Sequence, residues 1–160
     1  MAAGRFLPLK LRAEDVEDIT VLAACLQDAT VKIGDMAWLP KQRRFVLVLN
    51  RFRWEDEAPQ LDGQKKRPLI RATPHARVQA GLHFDGVLNV QSAGIDRDRP
   101  GAALDLLSIL ADPAGEGAAT LTLVFAGGGA VKLDVECVDA QMQDIGQPWP
   151  VRRVPQHKEV

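Results

Sequence analysis

The spacing of hydrophobic and polar positions changes sharply near residue 29. Residues 13–28 carry apolar side chains at helical intervals, among them Val16, Ile19 and Leu22. Acidic residues crowd the first two turns of this segment, where the helix dipole favours negative charge. From Val31 onward, apolar residues recur at about every second position. The pattern therefore predicts one N-terminal helix followed by a series of β-strands.

The alternating part of the chain divides into short segments that we predict to be strands. They cover residues 31–39, 45–54, 78–84, 87–95, 104–110, 120–125 and 131–135. Segment 104–110 fits a helix as well as a strand, and the closely flanking turn residues favour the strand. Turns at 40–44 and 127–129 predict hairpins, and Asp85-Gly86 is the strongest two-residue hairpin signal in the chain.

The C-terminal part returns to helical spacing. Val138, Met142 and Ile145 share one face of a closing helix predicted over residues 137–145, and Gly146 supplies a stop. The predicted fold is α+β, mainly antiparallel β-sheet that forms a roll or half-barrel, with an N-terminal helix and a C-terminal capping helix. Pleckstrin-homology-like domains have this architecture, although a fold alone does not assign a function. We predict one globular domain over residues 1–149 and an extended or disordered tail over 150–160.

Composition narrows the class of protein without naming a function. The chain has 160 residues and a net charge of −1, so its overall charge does not drive it toward nucleic acid or an anionic membrane. Its two cysteines, Cys25 and Cys137, lie far apart, which favours a reduced, cytoplasmic protein. Residues 1–10 lack the pattern of a signal peptide, and no apolar stretch is long enough to span a bilayer. We therefore expect a cytoplasmic protein without membrane insertion.

Positive charge is concentrated in residues 41–77, which hold ten basic and four acidic residues and are net +6. Arginine forks suit phosphate or carboxylate groups, and Phe52 and Trp54 offer surfaces on which bases can stack. The alternative is a solvated hairpin whose outward residues are basic, because charge runs are usually solvated surface. The candidate binding residues are Lys41, Arg43, Arg44, Arg51, Arg53, Lys65, Lys66 and Arg67.

Motifs that carry other chemistry are weak. His83 and Asp85 share a strand face, but two ligands are too few for a zinc site. The glycine run 127–129 lacks the spacing of a phosphate-binding loop and is better explained as a hairpin turn. Cys25 and Cys137 are interpreted as structural cysteines, and no nucleophile motif is present. We therefore predict no metal, no cofactor and no catalytic residue.

Several phrases of the sequence are similar to those of one bacterial family. They are residues 26–29, Gly34-Asp-Met-Ala-Trp-Leu-Pro40, residues 44–54, residues 82–92 and residues 123–137. Spread over residues 9–149, they resemble an uncharacterised alphaproteobacterial family, a domain of unknown function. The resemblance implies a small bacterial protein of about this size and transfers no activity or site residue.

Three classes of function stay open on these observations. The first is a non-catalytic binding or scaffold domain that engages a protein partner through an exposed sheet edge or the basic face, including a second copy in a homodimer. The second is an anion or nucleic-acid binder that uses the basic 41–77 face. The third is a small enzyme whose site is assembled from scattered residues. The absence of nucleophile, metal and nucleotide motifs favours the first class, with the partner unknown.

Overall fold

A computed structural model describes residues 7–57 and 75–155. In this part of the chain there is one α-helix, α1 (Val16–Leu26), and three single-turn 3₁₀ helices at Ile33–Asp35, Pro40–Gln42 and Trp54–Asp56. The strands are β1 (Lys10–Ala13), β2 (Thr30–Lys32), β3 (Met36–Leu39), β4 (Arg44–Phe52), β5 (Ala76–Phe84), β6 (Val87–Ala93), β7 (Ala103–Gly115), β8 (Ala118–Phe125), β9 (Ala130–Val135) and β10 (Ala140–Pro150).

Helix α1 lies where the 3.6-residue pattern predicts it. Asp15 caps its N-terminus, since its Oδ1 accepts a hydrogen bond of 2.7 Å from the backbone N–H of Asp18. Ile19, Leu22 and Leu26 form the buried face, and the helix packs against β1, β4 and β7. The predicted N-terminal helix is therefore confirmed, with bounds slightly inside those expected.

The described strands form one antiparallel sheet that does not close on itself. Its order is β1-β10-β5-β4-β2-β7-β8-β9-β6, with β3 paired to β4 beside this path. The long strand β7 joins the two halves of the sheet. Its first residues pair with β2, and the rest, from Leu106 on, pair with β8. The mainly antiparallel architecture is confirmed, and segment 104–110 is strand.

The hydrophobic core lies between the two halves of the sheet and α1. Alternate residues of β4 and β5 point into it, for example Leu47 opposite Leu82 and Leu49 opposite Ala80. Leu121 and Leu133 face each other in the second half and are fully buried. Burying alternate residues on one face of each strand produces the period-2 pattern seen in the sequence.

The closing helix predicted over 137–145 is wrong, because residues 140–150 form β10. Ala140, Met142 and Asp144 alternate as buried positions in this strand. The sequence does not show this alternation of buried and exposed positions, because Asp144 is charged and a charged residue is normally expected at the surface. The helical cap that the pleckstrin-homology analogy requires is thus replaced by a strand at this place. The tail boundary predicted at 149/150 stays a prediction, although the Val151 N–H still bonds to the His75 carbonyl at 2.8 Å.

The hairpin predicted at Asp85-Gly86 is also wrong. Gly86 has the positive φ of 69° that such a turn needs, yet β5 pairs with β4 and β10, and β6 pairs with β9. The turn therefore carries the chain from one half of the sheet to the other. By contrast, the predicted hairpins at 40–44 and 127–129 join β3 to β4 and β8 to β9.

Candidate functional site

A half-open apolar groove lies between β3 and β6, at the place where the sheet fails to close. Its volume is about 290 Å³. The apolar side chains that line it are Met36, Trp38, Phe45, Val90, Ile95 and Val131. They come from strands β3, β4, β6 and β9 and from the loop after β6, so the groove is formed by segments distant in sequence.

Two strand edges flank this groove. Within residues 7–57 and 75–155, β3 pairs with β4 alone and β6 pairs with β9 alone. At one end of the groove the start of β6 meets the β3–β4 turn, where the Val87 N–H donates to the Arg43 carbonyl at 2.9 Å. An unpaired strand edge presents backbone donors and acceptors to any chain that lies beside it. The groove is therefore an apolar floor between two such edges.

The other end of the groove is held by the loop that follows β6, residues 94–102. The Gly34 N–H donates to the Pro100 carbonyl at 2.8 Å, and the Ile33 N–H donates to the Ala102 carbonyl at 3.0 Å. The base of the loop packs closely on the β8–β9 turn, since a Cβ built on Gly94 would lie 2.9 Å from the Gly128 carbonyl oxygen. Contacts at both ends of the loop thus fix its position.

Among the described residues, Arg97 is the one charged side chain that lines the groove. Its Nη2 donates a hydrogen bond of 3.1 Å to the Ser92 hydroxyl on β6. No carboxylate of the described residues lies within ion-pair distance of Arg97, and its neighbour Asp96 accepts from the Asp98 N–H at 3.0 Å. The lining contributed by the described residues therefore carries a single positive charge.

The basic residues selected from the sequence do not form one surface, and Arg51 lies inside the protein. Its side chain is 0% exposed and makes a bidentate pair with Asp144, with Nε to Oδ1 and Nη2 to Oδ2 both 2.8 Å. Nη1 and Nη2 also donate to Glu55 at 2.9 and 2.6 Å, and Nη1 donates to the Phe52 carbonyl at 3.3 Å. All five N–H donors of this guanidinium are used.

The protonation of this cluster follows from its contacts. Burial by itself would lower the pKa of Arg51, but the hydrogen bonds and charges of Glu55 and Asp144 outweigh it and raise that pKa further above its ordinary value. Burial likewise opposes ionisation of Glu55, and the bonds from Arg51 reverse this, so the Glu55 pKa is lowered. The cluster is thus an internal ion network that joins β4 to β10.

The remaining basic candidates are divided between surface and interior. Arg53 is buried and pairs with Asp56 at 2.8 Å. Arg43 and Arg44 are exposed and face Glu136 at 3.4 Å and Asp85 at 2.6 Å. Lys41 is exposed. Lys65, Lys66 and Arg67 lie outside the described residues. Among the candidates that the structure describes, Lys41, Arg43 and Arg44 are therefore at the surface, and each of the two arginines faces a carboxylate.

Other candidate chemistry is scattered. In the described part of the chain, no group of three or more His, Cys, Asp or Glu side chains is arranged to hold a metal ion. His83 Nδ1 lies 3.2 Å from Asp85, on the strand face predicted for the pair. Cys137 is exposed, and burial raises the pKa of the Cys25 thiol. Among the described residues no helix is long and apolar enough to cross a membrane.

A second groove, of about 410 Å³, lies on the outer face of β4, β5 and β10. Gly81 forms its low point, and Val48 and Ile145 are exposed beside it. The strands beneath it are paired on both sides. A partner there would meet side chains only, whereas the β3–β6 groove also offers backbone hydrogen-bonding groups.

The residues of the β3–β6 groove were not selected from the sequence. Trp38 fits a core strand, and Arg97 fits a charged turn, so each has an ordinary local explanation. An edge strand can be identified only when the pairing of the strands in the sheet is known. The sequence signal closest to the groove is Ile95, an aliphatic residue directly before the charged run 96–99.

Comparison with known proteins gives a family without an activity. A family model described as protein of unknown function (DUF2948) matches residues 9–157, a range that includes α1 and all ten strands. No curated protein and no solved structure matches the chain. Function therefore has to be inferred from the geometry of the groove.

Proposed function

We propose that this chain, which belongs to the DUF2948 family of proteins of unknown function, is a non-catalytic binding domain that engages a protein partner at the groove between β3 and β6. The observation that carries the proposal is an apolar floor between two strand edges that no other described strand pairs with. An extended segment of the partner adds to the β6 edge through main-chain hydrogen bonds and places apolar side chains in the groove. This is the β-augmentation mode of peptide recognition.

The size of the groove supports a peptide. Its volume of about 290 Å³ is at the lower end of the range for small-molecule pockets, which is about 300–1,000 Å³. Such a space accommodates one or two apolar side chains. Trp38, which is half-buried, supplies the aromatic surface that protein interfaces favour. In this proposal the domain acts by binding, without a catalytic residue or cofactor.

The anion or nucleic-acid alternative has less support. It depends on a cluster of free cations, and two of its eight candidates, Arg51 and Arg53, are buried in ion pairs. Arg43 and Arg44 are exposed but matched by acidic neighbours. The alternative therefore depends on Lys41 together with Lys65, Lys66 and Arg67. For the enzyme alternative, the described residues offer no group of converging titratable side chains at the groove, because Arg97 is the single charged residue among those that line it.

A pair of tryptophan substitutions on β6 tests the proposal. Ser92 is exposed and lines the groove, so Ser92→Trp fills its mouth. Gln91 is exposed on the same strand and does not line the groove, so Gln91→Trp is the matched control. Tagged wild-type protein and both variants are used to capture partners from a lysate, with nuclease and over a salt series. The sequence resemblance makes an alphaproteobacterial cytoplasmic lysate the natural source.

The expected result is a discrete protein captured by the wild type and by Gln91→Trp, lost with Ser92→Trp, and resistant to nuclease and salt. Capture of nucleic acid that disappears with nuclease and moderate salt would support the basic face instead. A partner that binds all three proteins equally would contradict the groove as the site. Recovery of a second copy of the chain, dependent on Ser92, would identify a homodimer as the partner.

A further inference from the structure

Arg97 combines three properties that bear on the choice of a ligand. It lines an apolar groove, its guanidinium is exposed, and no carboxylate of the described chain lies within ion-pair distance. Ser92 accepts one of its five N–H donors, and the other donors face the rim of the groove without a partner in the described residues. Arg43 and Arg44, which are equally exposed, each have a carboxylate beside them.

We infer that the segment received by the β3–β6 groove carries a carboxylate that binds Arg97, next to the apolar side chains that fill the floor. The inference rests on the proposed function and specifies its ligand. A guanidinium offers a planar fork that matches a carboxylate with two parallel hydrogen bonds. Charge complementarity therefore selects an apolar, acidic segment over an apolar, basic one.

The position of Arg97 is set before any partner binds. The Ser92 hydroxyl holds its Nη2 from β6, and the Gly34–Pro100 backbone bond holds the loop from the opposite side of the groove. The Asp98 N–H is tied back to the Asp96 carboxylate, which turns that acid toward its own loop. A cation on a loop whose backbone is held in this way loses less conformational entropy on binding than one on a free loop, and this improves affinity and selectivity.

The carboxylate has two sources in a peptide, an Asp or Glu side chain or the C-terminus. Both present the same planar group to Arg97. They differ in direction, because a C-terminal carboxylate ends the added strand at the 94–102 loop, whereas an acidic side chain lets the strand continue past it. Peptides with free or amidated C-termini distinguish the two.

A peptide selection with charge reversal tests the inference. Random eight-residue peptides are displayed with a free C-terminus and selected against wild type, Arg97→Glu and Arg99→Glu. Arg99 is exposed in the same loop and does not line the groove, so it is the matched control for the charge change. Selected peptides are then synthesised with free and amidated C-termini, and their affinities are measured by calorimetry, with the folded state of each variant checked by circular dichroism.

The expected result is an apolar motif with one acidic group for wild type and Arg99→Glu, and a basic residue in its place for Arg97→Glu. Arg97→Gln should weaken the acidic peptides by about tenfold or more, the loss expected for one charge-assisted hydrogen bond. If amidation abolishes binding, the C-terminus is the carboxylate; if it does not, a side chain is.

The failures of the two proposals have different signatures. Two results would overturn the inference and leave the proposed function standing. One is the selection of apolar peptides that do not bind Ser92→Trp and contain no acidic residue. The other is the selection of the same peptide motif by Arg97→Glu as by the wild type. Failure to select any peptide that Ser92→Trp excludes would overturn both.

Discussion

Replacing Arg51 by methionine should be among the most damaging single substitutions in the β-sheet. Methionine has a similar length and no charge, so the change removes the guanidinium and little volume. Asp144 would then remain 0% exposed without its cation. Breaking a buried ion pair by removing one partner costs about 3–5 kcal/mol, which is a large part of the 5–15 kcal/mol that stabilises a typical domain. Urea unfolding at about pH 7 measures the loss.

Two matched variants isolate the reason for this loss. Arg44→Met removes an exposed arginine that pairs with Asp85 at 2.6 Å, and exposed pairs contribute about 0.2–1 kcal/mol. The double variant Arg51→Met/Asp144→Leu removes both buried charges and should recover most of the stability. Recovery should be incomplete, because the Leu9 N–H then loses the Asp144 oxygen it bonds at 2.7 Å. Glu55 keeps contact with water in both variants, since about 34% of its side chain is exposed.

One result would refute the burial argument. This result is a loss below about 1 kcal/mol for Arg51→Met, equal to that of Arg44→Met.

Four further predictions follow from other contacts. Gly94→Ala should destabilise the protein by about 1–3 kcal/mol, because φ is +69° and the added Cβ meets the Gly128 oxygen, whereas Gly101→Ala, with open space around it, should change thermal stability little. Trp54→Phe should cost about 1 kcal/mol in urea unfolding through loss of the 2.9 Å bond from Nε1 to the Gln27 carbonyl. Because the Glu55 pKa is lowered in the folded state, its contribution should be lost as pH falls below the ordinary value of 4.5, and Glu55→Gln should remove that part of the acid sensitivity in urea titrations. A maleimide should label exposed Cys137 quickly and Cys25, whose pKa burial raises, slowly, with mass spectrometry following both.

Local patterns predicted those elements whose signals are also local. Helix α1 has an apolar stripe and an acidic first turn, and the β8–β9 hairpin has glycines with positive φ at 127 and 128. Both sets of signals lie within a few residues of one another, so the helix and the hairpin can be predicted without knowledge of the fold. The partner of a strand is a different kind of property. Asp85-Gly86 forms a genuine turn, but the strand that follows pairs with β9, about 40 residues further on.

The buried ion network was hidden from the sequence for a related reason. Arg51 and Asp144 are separated by 93 residues, and each taken alone is best explained as a surface residue. Two predictions were wrong because the contact between Arg51 and Asp144 could not be known from the sequence. One placed Arg51 in a basic binding face, and the other placed residues 137–145 in a helix. Once the pair is known, Met142 and Asp144 become alternate inward positions of a strand.

The unclosed sheet makes the β3–β6 groove the most informative place to look for function. A strand edge left open on an apolar floor favours unwanted association, so proteins usually cover or blunt such edges. Here three of the exposed positions of β6, Asn89, Gln91 and Ser92, are polar, which limits aggregation while leaving backbone groups accessible. The 94–102 loop is held by backbone bonds and positions Arg97 beside the opening. If stability alone governed this region, a longer β3 paired with β6 would close the sheet and bury the floor. The proposed partner segment would supply what the described residues leave open, which is strand pairing for β3 and β6 and a counter-charge for Arg97.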